Sequence, residues 1–133
     1  MIYLDTAALV KLIRVEAESA ALVEWLNARS DQPLVASALV EIEVPRALRR
    51  SQPGVLGGVA GVLARLHRIE INAAVRATVG AYTEPTLRSL DAIHLATAEL
   101  LLASGKPLRA FVTYDKRLAT AAEAATLPVA TPS

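Results

Sequence analysis

The stretch Ser89–Glu99 (SLDAIHLATAE) begins the most apolar helix that the sequence predicts, a helix that runs to about Ser104. Its apolar residues recur every three or four positions, and Ser89 is a residue type that caps helices. A helix of this composition should be largely buried, yet Asp91 lies in its first turn. A buried carboxylate needs the positive end of the helix dipole, a cation, or both. The surroundings of Asp91 are therefore the first place to look for a functional site.

The composition indicates a single aliphatic domain without a strong electric field. The chain has 133 residues, enough to bury a core, and 53% of them are hydrophobic but only 4% aromatic. The formal net charge is +1, so nucleic-acid binding is neither required nor excluded, because a local basic patch would suffice. The chain has no cysteine, which excludes disulfides and thiolate metal sites and suits a reducing compartment.

No segment has the pattern of a membrane or export signal. Asp5 interrupts the apolar first ten residues and no basic region precedes them, so we expect no signal peptide. No apolar run approaches the roughly 18 residues that a membrane-spanning helix needs. We therefore expect a cytoplasmic protein without membrane contact.

Short apolar segments alternate along the chain with amphipathic ones, which predicts strands alternating with helices. The predicted strands are Ile2–Leu4, Leu34–Ala36, Arg68–Ile71, Ala110–Thr113 and Leu127–Val129. The predicted helices are Ala7–Arg14, Glu16–Arg29, Ala38–Arg50, Val55–Leu66, Ala73–Tyr82, Ser89–Ser104 and Asp115–Ala125. Strands separated by helices indicate a parallel sheet covered on both faces, an α/β sandwich formed by one domain.

Two acidic residues directly follow predicted strands. Asp5 comes after Ile2–Leu4, and Asp115 comes shortly after Ala110–Thr113. Parallel strands end at one edge of the sheet, where α/β proteins bind ligands, so we expect both side chains at that edge with Asp91 nearby. Each residue also has a simpler role open to it. Asp5 and Asp115 could be helix N-caps, and the helix dipole alone favours a charge at Asp91.

Glu43 is the fourth acidic candidate. Its neighbours at helical spacing are mostly apolar, so Glu43 is expected to face inward and Glu41 outward. The alternative is a surface position in which Glu43 pairs with Arg46 one turn further on. Pro45 follows Glu43 by two residues and predicts a kink, which makes the geometry of Glu43 the least secure of the four.

Carboxylates gathered at one sheet edge would have a defined chemistry. Two like charges about 4 Å apart repel by roughly 4 kcal/mol at an effective dielectric near 20. Such a group therefore raises its pKa values or recruits a cation. Hard oxygen ligands without cysteine suit Mg²⁺ or Mn²⁺, which can orient water and stabilise charge on a phosphoryl oxygen. This is the chemistry of phosphodiester hydrolysis.

Four segments along the chain match the residue patterns of a known family, and they occur in the same order as in that family. They are Tyr3–Lys11 (YLDTAALVK), Ser37–Glu43 (SALVEIE), Leu90–Ala98 (LDAIHLATA) and Val112–Leu118 (VTYDKRL). With these segments the chain resembles the PIN-domain ribonucleases, specifically the VapC-type toxins of bacterial toxin–antitoxin pairs. The segments are spread over the whole chain, and the length also fits.

The resemblance implies a PIN-like three-layer sandwich, with a mostly parallel central sheet flanked by helices. It implies a single PIN domain over residues 1–133. It also implies an endoribonuclease whose acidic pocket carries the catalysis and holds Mg²⁺ or Mn²⁺. The residues that match the family's pocket are Asp5, Glu43, Asp91 and Asp115.

The same resemblance suggests individual roles. Asp5 and Asp91 are the first candidates for direct or water-mediated metal ligands, and the other two acids would complete the pocket and help position the attacking water. Thr6 and Thr113 would be supporting hydroxyls, although either could equally be a capping group. His94 corresponds to a structural position in the family, and we expect it to belong to the scaffold rather than to act as a general base.

The resemblance further implies an RNA substrate, a homodimer and a VapB-type antitoxin whose tail occupies the acidic groove. An arginine from such a partner would pair well with the carboxylates. Basic residues beside the acids could hold RNA phosphates, or could form solvated helix faces. They are Arg46, Arg49, Arg50, Lys116 and Arg117. The first two helices, with Trp25, offer apolar surface for protein contacts, although core packing is the simpler account of that tryptophan.

Three alternatives stay open from the residues alone. A receiver-type phosphoacceptor domain is also α/β with an acidic cluster, although no acidic pair follows the first strand here. A PIN-like module without activity would not need the retained acids. The same metal site could also cleave DNA, because no residue in the sequence identifies a reader of the 2′-hydroxyl.

Overall fold

Five short strands form one parallel sheet in the middle of the protein. A computed structural model describes all of residues 1–133. The strands are β1 (Ile2–Leu4), β2 (Leu34–Ser37), β3 (Leu66–Ile69), β4 (Ala110–Val112) and β5 (Val129–Ala130). They lie in the order β3-β2-β1-β4-β5, and every neighbouring pair is parallel. The predicted parallel sheet is therefore confirmed.

Seven α-helices connect the strands. They are α1 (Thr6–Ile13), α2 (Ser19–Asn27), α3 (Val40–Ser51), α4 (Val59–Leu63), α5 (Ala73–Ala81), α6 (Ser89–Ala103) and α7 (Lys116–Ala124). A 3₁₀ helix at Pro53–Gly58 stands where the sequence predicted the first part of one weak helix. Proline and three closely spaced glycines disfavour a continuous α-helix there. None of the helices combines the length and apolar character needed to span a bilayer.

The sheet separates two apolar cores, because successive side chains of a strand point to opposite faces. Ile2 and Leu4 of β1 pack into one core together with α1 to α4. Tyr3 of the same strand packs into the other core, where its ring stacks on Phe111 with centroids 5.1 Å apart. Residues of α6 and α7 complete this second core. Helices on both faces of a parallel sheet confirm the predicted three-layer sandwich.

The order of the strands fixes where a site can form. From β1 the chain proceeds to β2 and β3 on one side, and β4 and β5 lie on the other side. The strands β1 and β4 are therefore neighbours at the point where the strand order reverses. Open α/β sheets bind ligands outside the carboxyl ends of strands at such a point. Asp5 directly follows β1, and Asp115 follows β4 by three residues.

The helix α6 is as buried as its composition predicted. Its residues Ala92 and His94 to Ala98 are buried, and it packs against α5, α7 and β2. It ends at Ala103, and Gly105 just beyond the helix has a φ of +85°, the left-handed conformation that glycine adopts readily. The predicted capping role of Ser89 is wrong: Ser89 is the first helical residue, and Arg88 holds the N-cap position without a side-chain bond.

Several predicted boundaries also move by two or three residues. The second helix begins at Ser19 rather than Glu16, because the Ser19 hydroxyl accepts a bond from the Glu16 N–H and donates one to the Lys11 carbonyl. These bonds hold residues 16–18 in a turn. The third strand begins at Leu66, two residues before the predicted start. Ser37 ends β2, and its hydroxyl accepts a bond from the Leu39 N–H ahead of α3.

Candidate active site

The four acidic residues that the sequence singled out line one cavity of about 280 Å³. We call it the acidic cavity and define it by Asp5, Glu43, Asp91 and Asp115. It opens at the carboxyl ends of β1 and β4, where the strand order reverses. Four elements that are distant in sequence thus bring their carboxylates together. The expected convergence is present, and Thr6 and His94 line the same cavity.

Asp5 and Asp115 have two roles at once. The Asp5 Oδ1 accepts a hydrogen bond from the Ala8 N–H at 2.9 Å, and the Asp115 Oδ1 accepts one from the Leu118 N–H at 2.9 Å. Each residue is therefore the N-cap of the helix that follows it. The capping role and the cavity role, which the sequence presented as alternatives, coexist because a carboxylate has two oxygens.

The carboxylates of the cavity are under electrostatic strain. Burial raises the pKa of Asp5 above its usual range, despite opposing contributions from His94 and a hydrogen bond with Thr113. Burial also raises the pKa of Asp91, and the neighbouring charge of Asp115 raises it further. Arg88 approaches Asp91 only to 3.8 Å, from an exposed position. Like charges confined in this way favour a cation among them.

Glu43 differs from the other acids because neighbours hold it in its charged form. The Thr6 hydroxyl donates to its Oε1, and His94 Nε2 lies 3.2 Å from the same atom. Burial raises the pKa of Glu43, but the bonds from His94 and Thr6 outweigh burial, and the pKa is lowered. The helix α3 continues through Pro45, and Glu43 faces the cavity from it while Glu41 is exposed. The inward orientation predicted for Glu43 is confirmed.

Hydrogen bonds on both ring nitrogens hold His94 in place. The Ser37 N–H donates to the Tyr3 hydroxyl at 3.2 Å, and this hydroxyl is also hydrogen-bonded to His94 Nδ1 at 2.7 Å. The same ring presents Nε2 to Glu43 Oε1 at 3.2 Å. Tyr3 and His94 are both buried, which prevents water from competing for these bonds. His94 thus orients a carboxylate, in keeping with the scaffold role expected of it.

The two predicted supporting threonines contact the acids directly. Thr6 donates to Glu43, as described above, and its oxygen lies 3.1 Å from His94 Nε2. The fully buried Thr113 accepts a bond from the Asp115 N–H at 3.1 Å, and its hydroxyl also lowers the pKa of Asp5. Thr113 therefore links the two capping aspartates.

Sequence reasoning missed a basic side of the same cavity. Lys11 and Arg14 line it from α1, together with Glu16. The Lys11 Nζ lies 3.1 Å from Glu16 Oε1, and Arg14 Nη2 lies 3.1 Å from Glu16 Oε2. The signal available was weak: Lys11 and Arg14 are three residues apart at the C-terminal end of α1 and so share a face, but their spacing from Asp5, at the other end, does not predict that they reach the cavity.

The basic residues proposed for RNA phosphates occupy two regions. Arg46 and Arg50 line a second cavity of about 400 Å³, which shares Thr6 and Glu43 with the acidic cavity. Lys116 and Arg117 line a third cavity on the other side of Asp115. Arg49 is exposed and lines none of these cavities. Glu43 makes no ion pair with Arg46, so the surface alternative for Glu43 does not hold.

The acidic cavity suits a divalent cation in its donor chemistry. Its acids offer hard oxygen ligands, and the raised pKa values of Asp5 and Asp91 show that negative charge there lacks compensation. No three acidic or histidine side chains are close enough to form a ready-made metal cluster. The residues that could hold the ion are the two strained aspartates with Asp115 and Glu43 beside them.

The fold and this cavity define an α/β domain with an acidic site at its strand-order reversal, and comparison with known proteins identifies the family. The sequence model of the PIN-domain family matches residues 2–124 of this chain. The chain belongs to the PIN-domain family, and within it to the VapC group. The resemblance found in four segments of the sequence is thereby confirmed. A receiver domain is excluded, since receivers follow a different strand order, in which β1 is not next to β4.

Relatives support this assignment along the whole chain. Ribonuclease VapC35 of Mycobacterium tuberculosis is 56% identical over 132 residues, which cover 99% of this chain and 97% of that protein. Two solved structures share the fold at low sequence identity. One is Mycobacterium tuberculosis VapC20, described as a sarcin–ricin loop cleaving toxin, with a TM-score of 0.69, 17% identity and coverage of 91% and 95%. The other is VapBC2 from Rickettsia felis bound to a promoter DNA fragment, with a TM-score of 0.70, 16% identity and full coverage of both chains at 100%.

The strain at Asp5 predicts a stabilising substitution. Because the folded pKa of Asp5 is raised, its ionisation at neutral pH costs stability, and this cost disappears as the pH falls below the unfolded value. Asp5→Asn removes the charge and keeps a good N-cap. We expect its urea midpoint in EDTA to exceed that of the wild type at pH 7, and the difference to shrink as the pH falls towards 4.

The control is Asp31→Asn, which changes an exposed aspartate and should leave the free energy of unfolding within about 0.5 kcal/mol of the wild type. A lower midpoint for Asp5→Asn at pH 7 would contradict the account of strain.

Proposed function

We propose that this chain is a metal-dependent endoribonuclease toxin of the VapC type, which hydrolyses phosphodiester bonds in cellular RNA. The observation that carries the proposal is the convergence of four carboxylates in one cavity at the strand-order reversal. The similarity over 99% of the chain to a ribonuclease supports an RNA substrate. We further propose that residues 1–133 form a single PIN domain acting in the cytoplasm.

In this proposal Asp5 and Asp91 hold Mg²⁺ or Mn²⁺, directly or through water. Their raised pKa values support the assignment, because a cation would relieve the cost of their charge. Asp115 caps α7 with one oxygen and completes the acidic wall beside Asp91. The bound ion would lower the pKa of water and stabilise charge on the phosphoryl oxygens.

Glu43 is suited to orient the attacking water. Its lowered pKa keeps it ionised, and Thr6 and His94 both engage Oε1, which leaves Oε2 available to accept a bond from water. The buried bond from Tyr3 holds the imidazole of His94 and so fixes the direction of the carboxylate. Lys11 and Arg14 line the same cavity and are paired with Glu16, so they would contact the phosphate of an approaching strand by exchanging that partner.

Metal-dependent cleavage of RNA tests the proposal directly. With Mg²⁺ or Mn²⁺ the protein should cut single-stranded RNA, and Asp5→Asn and Asp91→Asn should each lower the rate by about 100-fold or more because a metal ligand is lost. The measurement is gel analysis of a labelled RNA pool, with mapping of the cut positions. EDTA should abolish cleavage.

Asp31→Asn, which lies outside the cavity, is the matched control and should cut at the wild-type rate. A DNA oligonucleotide of the same sequence separates the RNA proposal from the alternative of a DNA-cleaving PIN nuclease. Cleavage that persists in EDTA, or in both aspartate variants, would refute the metal mechanism.

We also propose a VapB-type antitoxin that binds across α1 and α2. Between these helices lies a groove with Val15 90% exposed and Val23 43% exposed, and Lys11 joins the groove to the acidic cavity. A partner segment with apolar residues for the groove and an arginine for the carboxylates would fit both. The solved VapBC2 complex supports such a partnership in a protein of the same fold.

Val15→Asp should weaken this partnership, because binding would bury an unpaired charge. We expect the affinity for the VapB-type protein encoded beside this chain to fall by about tenfold or more, measured by calorimetry on co-purified proteins. Leu102→Asp introduces the same charge on exposed α6 surface away from the groove and should leave the affinity unchanged. Equal affinities of the two variants would place the antitoxin elsewhere.

A homodimer through α3 and the start of α6 is the third part of the proposal. Ile42 is 59% exposed and Leu90 is 50% exposed, and both line the cavity of Arg46 and Arg50. Two large apolar side chains side by side on a surface are typical of a protein contact. A second copy that covered them would lie next to Glu43.

Ile42→Glu is expected to convert the dimer into a monomer at micromolar concentration, because the contact would then bury a charge. Sedimentation velocity measures the change. Leu102→Glu, which alters another exposed leucine of α6, is the control and should sediment like the wild type. An Ile42→Glu protein that sediments as a dimer would overturn this interface.

A further inference from the structure

One further cavity near the acidic one has no role in the proposed chemistry. It measures about 520 Å³ and lies between α6, α7 and the segment that joins α5 to α6. We call it the α6–α7 cavity and define it by Tyr82, Leu87, Leu95, Glu99, Lys116 and Arg117. Cavities of about 300–1,000 Å³ are the size that binds small organic groups.

This cavity combines apolar walls with the half-buried carboxylate of Glu99, and the exposed Glu84 also lines it. Leu87, Leu95 and Ala121 contribute apolar surface. The Tyr82 hydroxyl donates to Glu99 Oε2, and both side chains are half-buried. Glu99 makes no ion pair, so no cation of the protein satisfies its remaining acceptor capacity. A flat apolar group with N–H donors at its edge would match these walls and this acceptor.

The rim of the cavity carries two unpaired cations. Lys116 and Arg117 are the first residues of α7, are exposed, and make no ion pair with any carboxylate. They lie at the positive end of the helix dipole. A phosphodiester group beside the flat ligand would therefore meet favourable charge.

The α6–α7 cavity and the acidic cavity are lined by neighbouring positions of α6 and of the start of α7. Lys116 directly follows Asp115, which lines the acidic cavity. On α6, Leu95 and Glu99 stand one and two turns after Asp91, about 6 and 12 Å along the helix axis. A strand whose phosphate lies among the acids could therefore reach the second cavity with a neighbouring nucleotide.

We propose that the α6–α7 cavity binds an unpaired nucleobase that flanks the scissile phosphate, with guanine as the preferred base. This inference rests on the proposed RNA-cleaving function and adds a determinant of the cut sequence. Guanine presents two adjacent N–H donors on its Watson–Crick edge, and the Glu99 carboxylate, with one oxygen shared with Tyr82, can accept both. Lys116 and Arg117 would hold the adjoining phosphate.

Equilibrium binding in EDTA tests the site without any cleavage. The probes are fluorescent oligoribonucleotides with one guanine near the centre of a uridine strand, and matched strands in which that guanine is adenine or an abasic residue. We expect the wild type to bind the guanine strand about tenfold more tightly than the abasic strand, because a base buried against the apolar walls contributes to affinity. The measurement is fluorescence anisotropy at fixed salt.

Two variants locate the base. Ala121→Leu fills the cavity and should bind the guanine and abasic strands equally. Glu99→Gln keeps the cavity and should lose the preference for guanine over adenine while still binding both more tightly than the abasic strand. Ala103→Leu, on the exposed end of α6 outside the cavity, is the matched control and should discriminate like the wild type. Thermal melting checks that each variant is folded. If Ala121→Leu proves to be unfolded, the test rests on Glu99→Gln alone.

The outcomes separate this site from the proposed function. Base-dependent binding by a protein that cuts no RNA would retain the site and refute the nuclease. RNA cleavage together with equal binding of guanine and abasic strands by the wild type would retain the nuclease and overturn the site. The site is also overturned if Ala121→Leu distinguishes the guanine strand from the abasic strand as the wild type does. The same holds if this variant alters the self-association of the protein in sedimentation but leaves base binding unchanged.

Discussion

The burial of carboxylates is the constraint on which the arrangement of this protein depends. Asp5, Asp91 and Asp115 reach one cavity from three elements, and the fold must stabilise them without neutralising them. It does so with backbone N–H groups: Asp5 and Asp115 cap the helices that follow their strands. Helix N-termini supply partial positive charge but no formal charge. The acids therefore keep the capacity to bind a cation, which a lysine or arginine in the same place would remove.

The orientation of the fourth acid, Glu43, is fixed in a different way. Glu43 comes from α3, and its direction is set by a relay of buried bonds that starts at the Ser37 N–H and passes through Tyr3 and His94. The relay ties β1, β2 and α6 to one carboxylate. It also accounts for the apolar middle of α6: Ala92 and residues 94–98 are buried, which keeps His94 in a dry environment against Tyr3.

Much of this could be read from the sequence because it depends on local patterns. The strand–Asp–helix order at Asp5 and Asp115 follows from short apolar runs and capping chemistry. What could not be read depends on distance across the fold. The bond of Tyr3 to His94 joins residues 91 positions apart, and Lys11 enters the cavity only because α1 packs where it does. The cap of α6 was mispredicted because a serine at a helix start satisfies the propensity rule whether or not its hydroxyl turns to the backbone.

The edges of the sheet have a consequence for how copies of this protein can meet. Its outer strands are β3, where Arg68 pairs with Glu41 at 3.5 Å, and β5, which has only two residues. A charged edge and a very short one both discourage another chain from adding a strand. Growth of the sheet from molecule to molecule, which leads to fibres, is thus blocked at both ends. Association is left to the helical faces, where side chains rather than backbone groups decide which partner fits.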